Sequence, residues 1–200
     1  MITTSNAAGG SAHTSNVNPH TDVATLASPA DVPESAVTLR DGSQVTIRAL
    51  RRDDANLERD FLRGLSPESR RMRFLGQIGE PGDALIRKLT ELDYRHDMAF
   101  IALAQERGKT RAVGVSRYSL APDGVSSECA VTVADAWQGK GLGTVLMRDL
   151  IDLARRRGVR SMVSVDAHDN WRMQELARDL GFKGEPDPDD PTQVIHRLVL

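Results

Sequence analysis

From residue 37 onward, apolar and polar positions recur with regular periods, and the period changes along the chain. Gln44-Val45-Thr46-Ile47-Arg48 alternates with period two after an Asp41-Gly42 turn, which predicts a first strand. Asp53 or Asp54 is placed to N-cap a helix that carries Leu57, Phe61 and Leu62 and stops at Gly64. Ser66-Pro67-Glu68-Ser69 opens a second helix, with serine at the cap and proline at the first helical position, ending near Phe74. Residues 82–92, with Leu85, Ile86 and Leu89 on one face, predict a third. Strand-like runs at 98–104, 112–120 and 126–134 are separated by turn-rich Glu106–Lys109 and Ala121–Gly124, as in an antiparallel meander.

The period then switches to 3.6. Leu142, Val145, Leu146, Leu150 and Leu153 mark a helix ending at Gly158; 161–167 reads as a strand, 170–180 as a helix closed by Gly181, and 193–200 as a last strand. Pro186-Asp-Pro-Asp-Asp-Pro191 reads as a loop. The predicted order is β-ααα-βββ-α-β-α-β: an α/β (α+β) layer built on a mixed, mostly antiparallel central sheet flanked by helices. Residues 1–36 are mostly Ser, Thr, Asn, Ala, Gly and Pro, too poor in apolar surface to offset ordering entropy. They are expected to form a disordered tail ahead of one domain spanning 37–200.

Charge narrows the choice of partners. The net charge is -2, and the first basic residue is Arg40, so nothing suggests a nucleic-acid coat, a polybasic membrane anchor or a basic presequence. No run of 18 apolar residues predicts a membrane span, and no basic start followed by an apolar stretch predicts a secretory leader. Cys129 is the only cysteine, which excludes an internal disulfide and a Cys-based zinc site and fits a cytoplasmic protein. His96, His168 and His196 lack partners at metal-ligand spacing; Asp166, His168 and Asp169 cluster near a strand end without a nucleophile or fourth ligand, so no metal is expected. Arg155-Arg156-Arg157 closes a helix, where positive charge complements the dipole.

The informative stretch runs from Glu128 to Thr144, where a strand enters Gln138-Gly139-Lys140-Gly141-Leu142-Gly143-Thr144 and turns into a long helix. A glycine-rich turn at a helix N-terminus is an anion site: unpaired N–H groups and the dipole point at the ligand, and glycine lets the backbone come close. Lys140 would add a point charge. The third glycine is one position early for the dinucleotide fingerprint, and no P-loop string occurs. A plain glycine turn that only starts a helix is the alternative.

The pattern Gln-x-x-Gly-x-Gly resembles the acetyl-CoA pyrophosphate loop of GNAT-type N-acetyltransferases. The stretch from Asn170 to Gly181-Phe182, a helix begun by Asn and ended by Gly-Phe, resembles the later motif of that family. Five further strings resemble the acetyltransferase domain of bacterial Pat-type protein-lysine acetyltransferases: Ile47-Arg48-Ala49-Leu50, Leu65-Ser-Pro-Glu-Ser69 with Arg73-Phe74, Asp93-Tyr94, Met98-Ala99 and Gly114-Val-Ser-Arg117-Tyr118. Larger Pat-type proteins join this domain to an acyl-CoA-synthetase-like or cyclic-nucleotide-binding region; neither is expected here.

The resemblance implies that Gln138, Gly139, Lys140, Gly141, Leu142 and Gly143 present backbone N–H groups to the pyrophosphate, with Thr144 adding its hydroxyl. It implies that the main chain at Val131 and Val133 pairs with the pantetheine arm, and that Asn170 and Met173 belong to the same site. Glu128 matches the general base of Pat-type domains. Alternation puts it on the face opposite Val131 and Val133, although a bulge would change the phase. An apolar strand around a carboxylate would make it a stronger base.

Many GNAT enzymes carry a tyrosine acid before the Gly-Phe, but Leu176-Ala177-Arg178-Asp179 has none. A thiol of ordinary acidity leaves without much help. Trp137 and Trp171 flank the motifs, as core or as acceptor-side lining. The expected reaction is direct transfer of acetyl from acetyl-CoA to an amine. The acceptor is a protein lysine, for example on an acyl-CoA synthetase, or else a small amine. A catalytically weak acyl-CoA-binding regulator would show the same loop.

Overall fold

The computed structural model describes residues 28–76 and 79–200; residues 1–27, and with them most of the expected tail, lie outside it. The strands are β1 (Ser35–Thr38), β2 (Gln44–Ala49), β3 (Asp97–Glu106), β4 (Lys109–Leu120), β5 (Ser126–Val133), β6 (Ser161–Ala167), β7 (Lys183–Pro186) and β8 (Gln193–Val199). The helices are α1 (Ala55–Gly64), α2 (Pro67–Phe74), α3 (Asp83–Thr90), α4 (Leu142–Arg156) and α5 (Trp171–Asp179). One eight-stranded sheet runs β1-β2-β3-β4-β5-β6-β8-β7. Every neighbouring pair is antiparallel except β5 and β6. The mixed, mostly antiparallel sheet flanked by helices is the architecture the periodicity predicts.

Two strands escaped that reading, both at sheet edges. β1 shows only one half-buried position and β7 none, so neither carries an alternating signal. β1 begins just ahead of the boundary expected at residue 37: Ser35 and Ala36 pair with Ile47 and Thr46, and Val32 is buried in the core.

Alternation along β4 and β5 sorts the core into two layers. Gly114, Ser116 and Tyr118 lie opposite Val133, Val131 and Cys129, and this face packs on α4. There Leu142, Leu146, Leu150 and Leu153 meet Met98, Phe100 and Met162. Burying each such side chain contributes about 1.5–3 kcal/mol. The other face, through Val115, meets Leu50, Phe61, Leu62, Ile86 and Leu89 from the side of α1 and α3. At the rim of that layer Arg48 makes a two-pronged ion pair with Asp54, each N–O distance 2.7 Å, and the Asp54 carboxylate also accepts the Arg51 N–H. Asp54 stands at the N-cap of α1, but its side chain serves Arg48 and not the helix.

The start of α4 lies against β4 because residue 114 has no side chain. A Cβ there would come within 2.8 Å of Leu146 Cδ1 and 3.2 Å of Leu142 Cδ2. Gly114→Ala is expected to cost about 1–3 kcal/mol, lowering Tm by roughly 3–10 °C in a circular dichroism melt.

Candidate active site

β5 and β6 pair over three rungs, Ser126 with Ser161, Ser127 with Met162 and Glu128 with Val163, and then part. Beyond Glu128 the edge of β5 that faces β6 has no strand partner. The opening is a cleft of about 950 Å³ lined by β5 from Glu128 to Val133, by Val165 and Asp166 of β6, and by residues of α2, α5 and the start of α4.

At its outer end is the glycine loop. Gly139 and Gly141 have φ of 74° and 89°, a conformation that strains any side chain. No side chain caps α4, whose N-cap is Gly141, so the N–H groups of Leu142, Gly143 and Thr144 face the opening without an intrahelical acceptor. Gly143 is also a packing position: a Cβ would lie 3.3 Å from Leu176 Cδ2 and 3.7 Å from Val133 Cγ2. The Leu142 side chain is core. Gly139, Gly141, Gly143 and Thr144 all line the cleft.

The Gln138 amide is a fastener. It donates to Val133 O (3.1 Å) and Ser69 Oγ (3.2 Å) and accepts from Arg172 Nη1 (2.6 Å), tying β5, α2 and α5 to the loop. Lys140 departs from the charge role expected of it. Its ammonium is held by Asp41 at 2.9 Å and lies 4.8 Å from the Trp137 ring centroid, and it does not line the cleft. Asn170 caps α5, its Oδ1 accepting the Met173 N–H at 3.2 Å; both residues line the cleft.

At the inner end Glu128 projects from the face opposite Val131 and Val133, as simple alternation expects. The pairing with β4 is unbroken, one residue to one, from Leu120–Ser127 to Gly114–Val133. The apolar surround expected for it is not there: the apolar side chains Cys129, Val131 and Val133 face α4, and Glu128 is exposed. It makes no hydrogen bond or ion pair with the described residues. Its charge and that of Asp166 act on Arg73, a half-buried α2 residue whose guanidinium burial pushes down to about 10, with Arg117 adding to that and Glu58 opposing it. Below them burial pushes the Glu58 carboxyl up against the pull of Arg117, which it meets at 3.2 Å.

Asp166 was set aside in the sequence with His168 and Asp169; the three part company in space. Asp169 pairs with Arg71 at 2.7 Å and His168 is exposed. Asp166 Oδ2 accepts from Ser164 Oγ at 2.6 Å and lies 3.9 Å from His196 Nε2. Burial pushes the Asp166 carboxyl up and the His196 ring down. Among the described residues no group of three His, Cys, Asp or Glu is placed to hold a metal ion, and no helix is long and apolar enough to cross a membrane.

The cleft wall contributed by α2 was not legible as part of a site. Asp135, just after β5, accepts from Ser66 N (2.9 Å), Ser66 Oγ (2.7 Å) and Ser69 Oγ (2.7 Å), and so pins the N-terminus of α2. The two tyrosines of the chain are both occupied elsewhere, Tyr94 donating to Leu50 O and Tyr118 bonded to Arg157, and neither lines the cleft.

An uncapped helix start with left-handed glycines, continued inward by an unpaired strand edge, fits an extended thioester with a diphosphate at one end. A family model described as "Acetyltransferase (GNAT) family" matches residues 67–182. The chain belongs to the GNAT acetyltransferase family. It is 53% identical over 163 residues to an acetyltransferase of Pseudomonas aeruginosa, covering 82% of this chain and 88% of that one. In fold it is similar to the GNAT domain of Streptomyces lividans Pat, with TM-score 0.75 and 24% identity, covering 84% of this chain and 97% of that one. It is also similar to PaiA N-acetyltransferase from Thermoplasma acidophilum in complex with coenzyme A, with TM-score 0.59 and 16% identity, covering 78% and 99%. The chain is therefore an acetyl-CoA-dependent N-acetyltransferase.

Asp135→Ala removes three hydrogen bonds to α2. It is expected to cost about 1–3 kcal/mol and to lower kcat by releasing the helix that carries Arg73, as read by thermal melting and steady-state assay. Burial raises the Asp135 carboxyl, but the Ser66 and Ser69 donors outweigh it and hold it below its ordinary value. This contribution is full above the ordinary carboxylate range near ~3.9 and is lost as pH falls through the lowered value.

Proposed function

We propose that the acceptor is the ε-amine of a protein lysine, acetylated by direct attack with Glu128 as general base. The observation that carries this reading is the position of Glu128. It occupies the last paired rung before the strands part, so an acyl chain led inward along β5 ends beside a carboxylate with no hydrogen bond or ion pair among the described residues. Acidic residues elsewhere in the cleft support a cationic acceptor: Glu68 of α2 and Glu175 and Asp179 of α5 line it with no partner among the described residues. The likeness of several sequence strings to Pat-type domains favours a lysine on a protein, such as an acyl-CoA synthetase, over a small amine. The reaction belongs in the cytoplasm on this reading, where a lone thiol stays reduced.

A lysine amine is protonated at neutral pH and must lose that proton to attack. Glu128 takes it, directly or through water. The amine nitrogen then bonds to the acyl carbon, the carbon–sulfur bond breaks, and the second proton shed by the nitrogen passes, directly or through solvent, to the thiolate, while Glu128 returns its proton to solvent. Uncapped N–H groups of α4 hold the diphosphate, and the main chain at Val131 and Val133 aligns the pantetheine. An acyl-cysteine route is disfavoured, because burial pushes the Cys129 thiol up to about 12.

The test is CoA release from acetyl-CoA with a lysine-bearing acyl-CoA synthetase and with a panel of small amines. Glu128→Gln is expected to lower kcat by roughly 10²–10⁴-fold with little change in acetyl-CoA affinity. Full turnover in that variant refutes the base assignment. Release with a small amine alone replaces the protein acceptor, and binding without release for any acceptor makes the chain a regulator. Cys129→Ala is expected to keep most of the turnover; its loss, with trapping of an acetyl-thioester on the wild-type chain, would establish the two-step route instead.

A further inference from the structure

We propose that Arg40, on the turn between β1 and β2, binds a phosphate of acetyl-CoA and takes the place that Lys140 holds in the sequence pattern. The inference rests on the acetyl-CoA reading of the cleft and adds a residue from outside both of its motifs.

The two neighbours Arg40 and Asp41 act on the glycine loop in opposite ways. Asp41 removes a charge from it: the carboxylate holds the Lys140 ammonium, and that hydrogen bond, with those from Ser43, pulls Asp41 down to about 2. Arg40 supplies one. Its backbone N–H donates to Lys140 O at 3.2 Å, and its side chain crosses the N-cap of α4 so closely that a Cβ on Gly141 would lie 3.3 Å from Nε and 3.6 Å from Cγ and Cδ. Arg40 lines the cleft, whereas Lys140 does not. No carboxylate or carbonyl of the described residues engages the Arg40 guanidinium.

The turn that presents it is stiff. Leu39 is buried, its N–H donates to Ser43 O, and Gly42 N–H returns to Leu39 O. Asp41 accepts from the Ser43 N–H and hydroxyl.

An unpaired guanidinium beside an uncapped helix N-terminus places positive charge on positive potential, which is unfavourable until an anion arrives. The guanidinium fork also matches phosphate oxygens two at a time, which an ammonium does not. Both the diphosphate and the 3′-phosphate of the co-substrate present this chemistry.

The test is isothermal titration of the full chain with acetyl-CoA and with acetyl-dephospho-CoA, for the wild type, Arg40→Gln, Arg40→Lys and Lys140→Gln. Arg40→Gln is expected to raise Kd for acetyl-CoA by roughly 10- to 100-fold, with kcat at saturation nearly kept. Arg40→Lys should recover part of that loss, and Lys140→Gln should lose less than Arg40→Gln. A loss confined to acetyl-CoA assigns the 3′-phosphate, and an equal loss with both ligands assigns the diphosphate. A Kd for Arg40→Gln within twofold of wild type, or a larger loss in Lys140→Gln, overturns the proposal. Absence of binding by the wild type would instead strike the acetyl-CoA reading itself. If Arg40→Gln lowers Tm, the Arg40→Lys and Lys140→Gln comparison decides.

Discussion

A parallel strand pair held by only three rungs governs the molecule. After Glu128 and Val163, β5 stays in register with β4 and β6 stays in register with β8, so each strand keeps one partner while the edge between them opens. Unpaired main-chain groups are costly unless a ligand or water takes them up. The opening is therefore a strand-shaped gap within the sheet, whose β5 edge leaves main-chain groups for an extended ligand or water. The α4 crossover holds the parted strands in place: Leu142 and Leu146 reach over β4 because Gly114 leaves room, which fixes the start of the helix at the mouth of the opening.

The α2 wall is attached by polar ties more than by apolar burial. α2 has no buried residue of its own and is fastened through Asp135 to Ser66 and Ser69. Gln138 is bonded at once to β5, α2 and α5. The side chain of the pattern's first residue thus builds the loop, and the main-chain N–H groups at the start of α4 are left without an intrahelical acceptor. Asn170 likewise spends its carbonyl oxygen on capping α5.

Charge is divided along the cleft. The outer end is positive through the α4 N-terminus and Arg40. The inner end carries Glu128 and Asp166 around Arg73, and Glu68, Glu175 and Asp179 line the wall. Arg73 itself is held below its ordinary value by burial and by Arg117, with Glu58, Glu128 and Asp166 opposing.

Elements with one buried face or a clear cap were legible in the residues: the α4 leucines and the alternating strands from Asp97 to Val133 announce themselves by period, and α2 by its Ser66-Pro67 start. So was the glycine turn into α4, because a strand-to-helix turn of this kind is a local requirement, and so was the face on which Glu128 lies, because strand alternation is local too. β1 and β7 were not, since an edge strand without a buried side follows only from its neighbour's hydrogen bonds. The owner of the loop's positive charge was not legible either. Lys140 stands in the motif, yet Asp41, ninety-nine residues earlier, takes its ammonium and Arg40 lies over Gly141. Which charges meet depends on where the β1–β2 turn folds back, a matter of long-range pairing that no local period encodes.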